Sequence, residues 1–190
     1  MKFSEFFTIR DTIQLDKKTL VILRWMAIVG QYITISVVYF IFEFNFPFYF
    51  CSGAILVGAV TNCYLQFYIK ENQLNNFSST FFLFYDLLQL AVLLYLTGGI
   101  TNPFTILIIV PAIVSSTLLT LRSTINLSIF TIAILITITV YYKPLPHSDV
   151  FHFHVPDYYL YAIPISIIIG LIFLTYFGFR FGAESRKRTE

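Results

Sequence analysis

Charge is what this chain lacks most. Only 12% of its 190 residues are Asp, Glu, Lys or Arg, against roughly one-quarter in a soluble domain. That shortage excludes an ordinary water-soluble globule, which must clothe its surface in polar groups. Cysteine is nearly missing too, with Cys51 and Cys63 as the two copies. Both fall in one apolar run, where helix geometry holds them about 18 Å apart, far beyond bridging distance within one chain. They are expected to be small apolar core residues with no disulfide and no metal. Catalytic motifs are absent as well. The sequence has no glycine-rich phosphate loop, no zinc-protease helix and no Ser–His or Cys–His pairing that can be placed. The net charge of +2 gives no footing for nucleic acid.

What the chain has instead is apolar length. It is 57% hydrophobic, with a mean hydropathy of +0.78. A helix needs about 20 apolar residues to cross a bilayer. Six runs qualify, at 20–42, 47–69, 78–97, 104–121, 124–142 and 158–179. A transmembrane β-barrel would alternate apolar and polar residues, whereas ILIIVPAIV and AILITITV are continuously apolar. The expected fold class is therefore all-α, a polytopic membrane bundle of six helices. Lys2, Arg10, Lys17, Lys18, Arg24, Lys70, Arg122, Arg180, Arg186, Lys187 and Arg188 fall on one side of it, and Lys143 on the other. Cytoplasmic loops collect the cations, so both termini are expected inside, in a bacterial inner membrane. Residues 1–19 then form a cytoplasmic interfacial segment, 20–179 the membrane domain, and 180–190 the start of a cytoplasmic helix.

Polar residues inside the runs are few. Span one carries Arg24, Trp25, Gln31 and Ser36; span two carries Gly53, Gly58 and Ala59, suited to close helix approach, with Asn62 and Gln66. Asp86 is the one acid well inside a run, with Gln89 on the same helical face. A carboxylate at that depth needs a partner or a function. Arg24 is the nearest plausible cation, and a structural Arg24–Asp86 pair is the leading reading, beside a protonated, hydrogen-bonded Asp86. Pro111 is expected to kink span four, with Ser115, Ser116 and Thr117 bonding back to the freed backbone. The loop 143–157 gathers His147, Asp149, His152, His154 and Asp157. Their spacing fixes no metal geometry, so exposed loop histidines are expected and no metal. Tyr158, Tyr159 and Tyr161 form an interfacial belt before span six.

One stretch spells something more specific. Residues 98–104 read GGITNPF, on the outer side of the expected topology, between spans three and four. Two glycines allow positive φ. Pro103 forbids the helical conformation at Asn102. Asn102 offers a carbonyl and two amide donors beside the ring of Phe104. The stretch fits a tight turn. It also fits the wall of a site for a flat, carbonyl-bearing ligand such as a quinone, with Asn102 donating and Phe104 or Tyr95 stacking.

The sequence YDLLQLAVLLYLTGGITNPF, residues 85–104, resembles the membrane sensor region of RegB/PrrB/ActS-type histidine kinases. Their signature GGxxNPF is matched at Gly98, Gly99, Asn102, Pro103 and Phe104. LRWMAIVGQ at 23–31 and AESRKR at 183–188 also look like that family. The resemblance implies a redox-sensing domain of a two-component system, with ubiquinone as ligand at those five residues. Asp86, Gln89 and Tyr95 are neighbours on span three. It also implies a homodimer, a cytoplasmic kinase core and a response regulator as partners. The family's phospho-accepting histidine, ATP-binding motifs and redox cysteine have no counterpart in these residues, so the chain alone is not expected to be a kinase. Two rival readings stand beside this one. One is a small transporter or channel using Asp86, the other a structural membrane subunit.

Overall fold

The computed structural model describes residues 15–144 and 156–187. Six α-helices follow in order: α1 Lys17–Phe40, α2 Phe48–Phe67, α3 Asn76–Leu96, α4 Val110–Leu118, α5 Leu121–Val140 and α6 Asp157–Lys187. Five of them are long and apolar enough to cross a membrane. Short polar caps set several starts: Asp16 accepts from the Thr19 amide, Asn75 from Ser78 and Thr120 from Ser123. The all-α polytopic expectation holds.

The fourth span differs from a regular helix over 104–121. It opens as a 3-10 helix, Pro103–Ile109, and turns α-helical only at Val110. Pro111 has no N–H to offer the Leu107 carbonyl, which takes the Val110 amide instead, the i→i+3 bond of a 3-10 turn. The proline therefore sits in the first turn of α4, where its missing donor is harmless, rather than kinking a continuous helix. Ser116 and Thr117 bond to the carbonyls of Ile113 and Val114, not to the backbone that Pro111 frees. Ser115 pairs with Thr124 of α5 at 3.3 Å. The 3-10 form has a second effect, because its rise is about 2.0 Å per residue against about 1.5 Å in an α-helix. Its 7 residues and the 9 of α4 together reach about 28 Å, close to the roughly 30 Å hydrocarbon thickness.

Fully buried leucines and isoleucines of α3, the 3-10 helix and α5 (Leu87, Leu94, Ile108, Leu127, Leu135) form the centre. About 39% of the apolar window is buried in α3 and in α5, but only 11% in α6, which lies at the periphery and packs on α4. Leu15 and Asp16 pair antiparallel with Leu74 and Gln73, a two-stranded clasp that sequence periodicity did not suggest. Lys17 reinforces it, its Nζ donating to the Ile69 carbonyl past the end of α2 at 2.8 Å. The clasp ties the start of α1 to the α2–α3 connection. Residues 1–14, the loop positions His147, Asp149, His152 and His154, and the last residues of the tail lie outside the described residues.

Candidate functional site

The GGITNPF turn is built by its own side chains. Gly98 and Gly99 both take positive φ, 109° and 56°, ending α3 in the left-handed conformation that glycine adopts freely. At Gly99 a Cβ would collide with the Tyr142 ring and the Ile138 carbonyl. Ile100 is completely buried and pins the turn into the core. Asn102 is extended, as a residue before proline must be. Its Oδ1 accepts from the Phe104 amide at 2.9 Å, capping the 3-10 helix. Its Nδ2 donates to the Thr97 carbonyl at 3.0 Å and to Thr97 Oγ1 at 2.8 Å. Thr101 and Thr105 donate to the carbonyls of Gly98 and Gly99. The side-chain donors of this end are thus satisfied within the turn.

From this turn a cavity of about 420 Å³ runs down between α1, α3 and the 3-10/α4 segment, within the size range of ligand sites. Thr97, Asn102 and Phe104 line its loop end; Gln31 and Thr34 lie midway; Arg24 and Asp86 lie at its buried end. Leu23, Met26, Leu107 and Val110 line it and are exposed, so the cavity opens laterally on the face that meets lipid. A second cavity of about 440 Å³ lies between the turn and α6, lined by Asn102, Pro103, Tyr159 and Ile163 among others.

Arg24 and Asp86 form the ion pair expected from their depth. The Arg24 Nε lies 2.9 and 3.0 Å from the two Asp86 carboxylate oxygens, and Nη2 lies 2.9 Å from Oδ1. Nη2 also donates to Thr61 of α2 at 2.8 Å, so one guanidinium links three helices. The rings of Phe82 and Tyr85 lie 5.0 and 5.7 Å from its central carbon. The remaining nitrogen, Nη1, is buried without a hydrogen-bond partner. Nearby, Gln89 donates to Gln31 at 2.9 Å, and Gly58 leaves room for the Gln89 amide, which a Cβ there would strike.

The structure sorts the residues singled out in the sequence. Asn102, Phe104 and Asp86 line the first cavity, and Pro103 the second. Gly98 and Gly99 shape the turn without lining either one, and Tyr95 and Gln89 line neither. Tyr95 instead offers its carbonyl to the Lys143 amide at 2.9 Å. Thr97, Thr61 and Thr34 escaped sequence reasoning, because a threonine in an apolar helix carries no signal of its own.

A six-helix bundle with a lateral cavity ending at this turn is the setting in which the chain's relatives enter. The chain belongs to the PilS-like transmembrane domain family, which matches residues 19–189. It is therefore a multi-span domain of a bacterial inner membrane, of the sensor-kinase type. It is similar to the sensor histidine kinase RegB of Cereibacter sphaeroides, at 33% identity over 174 residues. The aligned part covers 91% of this chain and 38% of that relative, so the chain spans well under half of the relative's length. The resemblance read from residues 85–104 agrees with both matches. No solved structure gives a significant match.

Proposed function

We propose that this chain is the redox-sensing membrane domain of a two-component sensor, binding ubiquinone in the cavity between α1, α3 and α4. The observation that carries this reading is the cavity itself. It is apolar along most of its length, opens toward lipid, is polar at its two ends and is walled at one end by the GGITNPF turn. A quinone is a lipid-borne flat ring with two carbonyl acceptors, which become hydroxyl donors on reduction. A ligand shifts a helix arrangement only through unequal affinity for its alternatives, and that exchange of acceptors for donors supplies the inequality. Asn102, engaged with Thr97 and Phe104, shapes the cavity wall rather than donating to the ring.

The 3-10 segment and α4 are the movable wall. The 3-10 segment opens the fourth span with hydrogen bonds of poorer geometry than those of an α-helix, and α4 packs closely on α6, where Gly178 makes room for Ser116. A shift of α4 against the ligand is thus passed to α6, which continues to Lys187. On this reading α6 would lead into a histidine kinase core of the kind that the RegB relative's name states, and a homodimer and a response regulator as partners belong to the same proposal. The test uses the chain's single tryptophan, Trp25, which neighbours Arg24. Ubiquinone titrated into protein in lipid nanodiscs is expected to quench its fluorescence saturably. Quenching that only tracks the quinone content of the lipid, with no saturation, would overturn the reading.

A further inference from the structure

We infer that the ligand's carbonyl-bearing ring docks at the Arg24–Asp86 end of the cavity, with Arg24 Nη1 as the hydrogen-bond donor, and that the GGITNPF turn holds the outer part of the ligand. The inference rests on the quinone reading and concerns which end of the cavity takes the ring. Two ends compete, about 16 Å apart along α3 from Asp86 to Thr97. At the loop end the amide of Asn102 and the hydroxyls of Thr97, Thr101 and Thr105 already have partners in the turn. Recruiting any of them breaks a bond that builds the turn. At the other end, the Arg24 side chain is 2% exposed and keeps one nitrogen without an acceptor. A buried donor left unmatched is a standing penalty. The Phe82 and Tyr85 rings stabilise the charge of the guanidinium without giving that N–H an acceptor.

The same end answers both redox forms. A quinone carbonyl accepts from Arg24. A quinol hydroxyl donates to the Asp86 carboxylate, whose side chain is 25% exposed and lines the cavity beside Arg24. Because Arg24 also holds Thr61 of α2, a ligand that competes for Asp86 or for the guanidinium bears on the packing of α1, α2 and α3 together. The turn, by contrast, lies between α3 and α4.

The test is photolabelling of the full chain in nanodiscs with a ubiquinone analogue carrying an azide on its ring, followed by peptide mapping. Label within 20–27 or 83–90 that excess ubiquinone suppresses is the expected result. Suppressible label on 97–111 or elsewhere would overturn the ring placement while sustaining the quinone reading. No suppressible label anywhere would overturn both. As a second measurement, Arg24→Lys keeps the charge but loses the planar fork. It is expected to weaken ubiquinone binding by roughly tenfold. It is also expected to move the infrared carbonyl band of bound, carbon-13-labelled ubiquinone toward its position in lipid. A folded Arg24→Lys protein with unchanged affinity and an unmoved band would overturn the role of Arg24. Should that variant fail to fold, the labelling of the unaltered protein decides.

Discussion

The two ends of the cavity satisfy their polar groups in opposite ways. At the GGITNPF end a short segment closes its bonds locally, within residues 93–105. At the Arg24 end the bonds are long-range, joining α1 to α2 and α3 across 37 and 62 positions of sequence. A turn that completes itself is a rigid wall. A charge network that spans three helices and retains a free donor can be rearranged by what enters beside it. The self-contained turn thus walls one end of the cavity, and the Arg24–Asp86 network, announced in the sequence by two charges at depth, lies at the other.

The largest expected effect separates the two ends by stability. Replacing Arg24 or Asp86 alone with leucine strands a buried charge, a loss of about 3–5 kcal/mol in comparable pairs. Arg24→Leu combined with Asp86→Leu is expected to recover more than half of the sum, since neither charge then remains unpaired. Reversible unfolding in detergent, followed by circular dichroism, measures all three. Purely additive losses would show that the pair is not the linkage described. Next in size is Gly99→Ala, which is expected to lose roughly 2–4 kcal/mol. It combines a left-handed backbone with overlap against Tyr142 and the Ile138 carbonyl. Asn102 comes third. Asn102→Ala removes a cap and the two bonds to Thr97, about 1–2 kcal/mol. Asn102→Asp keeps an acceptor for the Phe104 amide but turns an oxygen toward the Thr97 carbonyl. It is expected to destabilise at least as much as alanine in the same unfolding assay. An aspartate as stable as the parent would mean that the Thr97 bonds contribute nothing.

Much of this was legible in the chain. Six apolar runs became six helices because a bilayer leaves each backbone no other way to satisfy its polar groups. The two glycines and the pre-proline asparagine announced the turn, since positive φ and extended backbone follow from their covalent structure. Arg24 and Asp86 announced each other, because a charge at that depth requires a partner. The rest depended on distance in space. Thr61 and Thr97 look like any threonine in a span until a guanidinium or an amide arrives beside them. Pro111 was visible, but whether it kinks a helix or starts one depends on which donor its orphaned carbonyl finds, and here that is Val110. The clasp of Leu15 and Asp16 with Gln73 and Leu74, two residues on each side, is too short for periodicity to register.

Phe104 supplies the smallest effect and the sharpest comparison. The residue is 41% exposed and lines the loop end of the cavity, so Phe104→Leu removes little buried surface. Stability is expected to change by less than about 0.5 kcal/mol. A ring stacked on a ligand ring is worth about 0.5–1.5 kcal/mol, whereas a ring passing only a flexible tail adds less than that. Phe104→Leu is therefore expected to weaken ubiquinone binding only two- to threefold in the Trp25 titration, well short of the roughly tenfold loss for Arg24→Lys. The order of the two losses is the informative quantity, because each variant leaves the other end of the cavity intact. A greater loss at Phe104 than at Arg24 would move the quinone ring to the turn and make the Arg24–Asp86 pair a strut.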